Sequence, residues 1–83
     1  MSQTLALTPD ALLEALIFAS PQPVTLEALV DATGLSTEET QVTLEMLEKH
    51  LVTRGLRLQR NKQRIQIVSA PEAAPYIEHM LGL

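Results

Sequence analysis

The sequence predicts a mainly α fold with a small β hairpin, on three observations. First, Leu26–Thr33 and Thr37–Thr53 read as helices on either side of Gly34-Leu35. Second, Leu56–Arg60 and Arg64–Val68 alternate apolar and polar residues around a polar tip, Asn61-Lys62-Gln63. A period of two puts one side of each run on a core and the other in solvent. Third, Thr8-Pro9-Asp10 and Ser69-Ala70-Pro71 introduce further helices before and after, because Pro suits a first helical turn. Two helices joined across a short Gly-containing turn form a helix-turn-helix. With the hairpin behind it, the expected architecture is a winged helix-turn-helix with a C-terminal helix.

Taken in order, residues 1–8 are a polar tail carrying Leu5 and Leu7, and residues 9–83 form one domain. Thr8 is the expected cap of the first helix, with Asp10 near the positive end of its dipole. That helix runs to about Ala19. Its apolar residues (Ala11, Leu12, Leu13, Ala15, Leu16, Ile17, Phe18, Ala19) cover nearly the whole circumference, with Glu14 polar in the middle. A two-layer domain of this size needs only one apolar face. The surplus predicts self-association, with Leu5, Leu7, Leu12, Leu13 and Ile17 as candidates. Cover by the tail or the last helix is the alternative.

Ser20-Pro21-Gln22-Pro23 ends the first helix, and Val24-Thr25 is extended and able to add an edge strand to the hairpin. Thr25 caps the second helix. Gly34 sits where the chain needs positive φ, and Ser36 with Glu39 has the spacing of a capping box. In the third helix Thr40, Leu44, Leu47 and Leu51 share the core face. Val42 and Met46 lie off that stripe, either as tolerated surface residues or as a ridge for a second partner. Arg54-Gly55 closes the helix. Asn61 is the tip residue that tolerates a left-handed conformation. The last helix begins between Pro71 and Ala74, ends near Leu81, and carries Tyr76, Ile77, Met80 and Leu81 as its apolar stripe.

Composition narrows the chemistry. The core must be aliphatic, since there is one Phe, one Tyr and no Trp. Without cysteine there is no disulfide or thiolate metal site, which fits a reducing cytoplasm. No apolar run is long enough for a membrane span, and no basic flank of a signal peptide opens the chain. Net charge is −4, yet all six Lys and Arg fall between residues 49 and 64, where there is no acid. Arg54, Arg57, Arg60, Lys62 and Arg64 are thus a candidate basic wing for an anionic partner; a solvated hairpin surface is the alternative. The third helix presents Glu38, Glu39, Glu45 and Glu48, which repel phosphates and argue against groove reading. His50 and His79 are 29 residues apart, and no phosphate loop, metal spacing or nucleophile elbow is present. No catalytic, metal or cofactor residue is assigned, and the expected protein is not an enzyme.

Several stretches resemble a known family. They are Leu13-Glu-Ala-Leu-Ile-Phe-Ala-Ser20, Gln22-Pro-Val-Thr-Leu-Glu-Ala-Leu29, Gly34-Leu-Ser-Thr-Glu-Glu39, Gly55-Leu-Arg-Leu-Gln59 and Ala70-Pro-Glu-Ala-Ala-Pro-Tyr76. In this order and spacing they resemble segregation and condensation protein B (ScpB), from Leu12 onward. The resemblance implies a non-enzymatic subunit of the bacterial SMC–kleisin condensin complex, cytoplasmic and nucleoid-associated. It also implies a homodimer that binds the kleisin ScpA and through it SMC, acting in chromosome condensation and segregation. Family members carry two winged helices in tandem. The first supports dimerisation and the second makes much of the kleisin contact. Residues 9–83 correspond to the first alone, and the second is expected to be absent from this chain. The hairpin tip lacks the glycine often found in the family's wing. A small nucleic-acid-binding protein touching phosphates through its basic wing is the alternative reading, with any DNA contact otherwise weak or indirect.

Overall fold

Local side-chain chemistry sets where the two central helices begin. The structure, a computed structural model, describes residues 6–83; Leu5 lies outside them. The Thr25 hydroxyl accepts from the Ala28 N–H at 3.1 Å and starts α2 (Leu26–Thr33). Gly34 ends it at φ 79°, a conformation costly for a residue with a Cβ. Ser36 and Glu39 form the full capping box at 3.0 and 2.9 Å and start α3 (Thr37–Leu51). Before them lie α1 (Pro9–Ala19) and the two-residue strand β1 (Val24–Thr25); after them come β2 (Leu56–Asn61) and β3 (Arg64–Ser69). A 3₁₀ turn at Pro71–Ala73 leads into α4 (Ala74–Leu81).

The strands form an antiparallel sheet in the order β1-β3-β2. Val24 pairs with Ile65, and Leu58 with Ile67, so β1 does add the expected edge strand. Thr8 takes the expected N-cap position of α1. Its side chain makes no cap bond there. It stands beside Asp10 instead, where its hydroxyl lowers the pKa of that carboxyl. Asp10 Oδ2 also lies 2.8 Å from His50 Nδ1, tying the start of α1 to the end of α3.

The core is aliphatic: Leu13 and Ile17 from α1, Leu29 from α2, Leu44, Leu47 and Leu51 from α3, Leu58 and Ile65 from the wing. Thr40 and Thr43 are buried with them. Their hydroxyls donate back to the carbonyls of Ser36 and Glu39 at 2.8 and 2.6 Å, so burial leaves neither unpaired. This placement corrects the expectation for α1. Leu13 and Ile17 are not association residues; they sit at 0% and 3% exposure in the chain's own core. The helix is wedged between α3 and β3, so two of its sides are covered. Leu12 is half-buried and Leu7 exposed. What α1 leaves in water is Phe18, with Ala15 and Ala19.

α4 behaves differently. None of its residues is buried, and its main neighbour is the 3₁₀ turn before it. It does not fold back over α1. The radius of gyration is 14.5 Å, against about 12 Å for a compact domain of this length. The helix is nonetheless properly ended. Gly82 takes φ 75°, its N–H donates to the His79 carbonyl, and that of Leu83 donates to Glu78 at 2.9 Å, the Schellman pattern.

Two outcomes follow from this packing. Leu13→Ala should lower unfolding free energy by about 2–5 kcal/mol in urea titration, as a core truncation does. The Thr8 hydroxyl, and then His50, hold the Asp10 carboxyl below its ordinary pKa against the opposing effect of burial. A pKa depressed by folding gives stability that is complete above the unfolded value and lost as pH falls through the folded one. Asp10→Asn should therefore flatten the loss of stability below about pH 4, measured by urea midpoints at pH 3 and pH 5.

Candidate functional site

A helix-turn-helix that reads DNA offers the outer face of its second helix to the major groove. Here that face is α3, and Glu38, Gln41, Glu45, Glu48 and Lys49 stand exposed on it. Glu39 is drawn into the capping box. The remaining carboxylates would meet phosphates with repulsion and no counterion release. Val42 and Met46, one turn apart on α3, are 56% and 46% exposed. Beside Val42 a shallow hollow of about 310 Å³ is lined by Pro9, Leu35 and Thr43. These two side chains extend the apolar surface outward, on the side not used by the core.

A larger groove, about 730 Å³, lies between α2, the start of α3 and the wing tip. Leu26, Val30 and Ile65 supply its apolar lining; Glu27 and Asp31 come from α2, and Arg60 and Lys62 from the wing. Both charge signs therefore border one groove, at the place where a DNA-reading protein would be uniformly basic.

The five wing cations do not form one patch. Arg57 is engaged with its own chain, donating to the carbonyls of Leu51, Arg54 and Leu56. The first of these is the last carbonyl of α3, which also accepts from the Arg54 N–H at 2.9 Å, and Glu72 lies 3.5 Å from the same guanidinium. Arg54 sits in the turn after α3, not on the wing. Arg60 pairs with Ile65 in the ladder and lines the groove. Arg64 lies with Gln59 and Gln66 around a separate hollow. Arg60, Lys62 and Arg64 are exposed, but the two-residue period splits the strand cations between faces. The tip differs too. Lys62, not Asn61, takes the left-handed conformation, at φ 60°, because the strands pair as far as Asn61 and Arg64. That leaves a two-residue loop whose first position favours glycine.

The largest exposed apolar set was not foreseen as such. Tyr76, Met80, Leu81 and Leu83 are 60–88% exposed. The stripe was legible in the sequence; that nothing among the described residues buries it was not. Among the described residues no three His, Cys, Asp or Glu lie together as a metal site. No helix there is long and apolar enough to cross a membrane.

A family model described as "Segregation and condensation complex subunit ScpB" matches residues 11–83. Segregation and condensation protein B of Symbiobacterium thermophilum is 32% identical over 72 residues, covering 84% of this chain and 33% of that protein. The chain thus spans about a third of the length of this curated relative. Among solved structures, a dimer of an ScpB N-terminal domain complexed with an ScpA peptide superposes with a TM-score of 0.82. Identity there is 26%, over 94% of this chain and 98% of that one. ScpB from Mycobacterium tuberculosis superposes at 0.80, with 28% identity over 88% of this chain and 47% of that one.

Lys62→Gly should raise stability by about 1 kcal/mol by removing the left-handed penalty of a side chain. Thermal denaturation of the two proteins at equal concentration tests it.

Proposed function

Because the chain belongs to the ScpB family, we propose that it is a dimerising, kleisin-binding module of a bacterial SMC–kleisin condensin complex, with a structural rather than enzymatic role. It serves chromosome condensation and segregation, in the cytoplasm and at the nucleoid. The observation that carries this reading is the superposition with an ScpB N-terminal domain that forms a dimer and holds an ScpA peptide. The physical chemistry of the surface agrees. The acidic outer face of α3 disfavours nucleic acid, and the exposed apolar residues favour protein.

We assign the Val42–Met46 ridge to the kleisin. It is exposed, apolar, and flanked by carboxylates that would accept basic side chains at the rim of an interface. His50 is tied to Asp10, and His79 stands exposed on α4.

Calorimetric titration of the chain with the ScpA of its own organism should give saturable binding that changes little with salt. Val42→Asp with Met46→Asp should weaken it by about tenfold or more, some 1.4 kcal/mol, with the circular dichroism spectrum unchanged. Absence of ScpA binding, together with binding to random duplex DNA that falls steeply with salt, would overturn this reading in favour of a phosphate-binding wing.

A further inference from the structure

We propose that α4 is a dimerisation arm whose Tyr76–Ile77–Met80–Leu81 face packs on a second copy of this chain. The proposal rests on the dimer reading above and adds the surface that makes the dimer. Four positions spaced i, i+1, i+4 and i+5 fall on one side of a helix. Tyr76 and Met80 are 78% and 74% exposed, so this side meets solvent in the single copy. Leu83, just past the Schellman turn, is 88% exposed.

An isolated eight-residue helix is too short to persist in water. It must draw its order from packing, and the body of its own chain supplies almost none. The core is already closed by α1, α2, α3 and the wing.

The occupant is a second copy rather than a further domain, and the dimeric neighbour gives the reason. Its match covers 94% of the 83 residues here, which leaves about five outside, fewer than the eight of α4. At least part of the arm therefore lies within the superposed region, in the pose of a chain that is dimeric. That chain is 98% covered by the match, so its dimer forms without another domain. In a two-fold pair each copy gives one arm and receives one.

Light scattering across a dilution series of this chain tests the arm. The expected mass is twice 9.1 kDa for the wild type. Met80→Glu with Leu81→Glu should raise the dimer dissociation constant by about a hundredfold or more without changing the far-ultraviolet spectrum. Tyr76 is the sole tyrosine and there is no tryptophan, so acrylamide quenching of wild-type emission reports the arm with no variant needed. It should rise at least about twofold as the dimer is diluted apart, as a side chain leaves a buried interface. A dimeric double variant, or quenching that ignores dilution, overturns the arm and leaves dimerisation to another surface. A double variant that dimerises but no longer binds ScpA also overturns it, and gives the face to the kleisin. A wild type monomeric throughout overturns both the arm and the dimer reading.

Discussion

Thr40, Leu44, Leu47 and Leu51 lie along one side of α3, and every other element of the body is placed by what it lays against them. α1 adds Leu13 and Ile17, α2 adds Leu29, and the wing adds Leu58 and Ile65. Without large aromatics, an aliphatic core this small must be dense to hold the chain together. Leu13 and Leu44 are both fully enclosed. The two buried threonines fit the same constraint, since each hydroxyl closes on a carbonyl one turn back and leaves its methyl to the core. α3 is thus fixed by its inner face, and its outer face is free to take on other chemistry.

That freedom is what separates this domain from a DNA reader of the same shape. The helix-turn-helix geometry is intact, with the capping box at its second helix. Yet the exposed side chains are carboxylates with Val42 and Met46 among them. Most of the positive charge lies on the wing, where Arg57 is taken up by backbone carbonyls. Arg60 and Lys62 face the acids of α2 across a shared groove. The fold sets where a ligand could sit. The charges select a protein rather than a polyanion.

Elements governed by local rules were legible in the sequence. Thr25, Gly34 and the Ser36–Glu39 pair state helix ends by chemistry within four residues, and those ends are where the chain puts them. The stripe on α3 was legible because a helical period is also local. What resisted reading depends on contacts distant in sequence. An apolar circumference on α1 cannot say that α3 and β3 take two of its sides. A basic residue such as Arg57 cannot announce that its partners are carbonyls at the end of α3. The left-handed residue at the wing tip moved from Asn61 to Lys62 because strand pairing, not residue preference, fixed the length of the loop. For the candidate site, the ridge at Val42 and Met46 was visible as a departure from the stripe, whereas the exposure of α4 was not.

The excess of apolar surface expected at the first helix remains there as Phe18, and a larger share sits on the last helix. α1 uses most of its circumference inside the monomer, and doing so closes the core to α4. The last helix then has an apolar face and no place for it. An alternative packing, with α4 folded over Phe18 and the exposed side of α1, would hide both surfaces in one chain. The short passage through Pro71–Ala73, with Pro75 in the first turn of α4, works against that reversal. Two prolines restrict the backbone there, and only a few residues separate the sheet from the helix. Keeping the arm extended lets the same apolar side chains serve a second molecule, so the surface that a single copy cannot cover becomes the means of assembly.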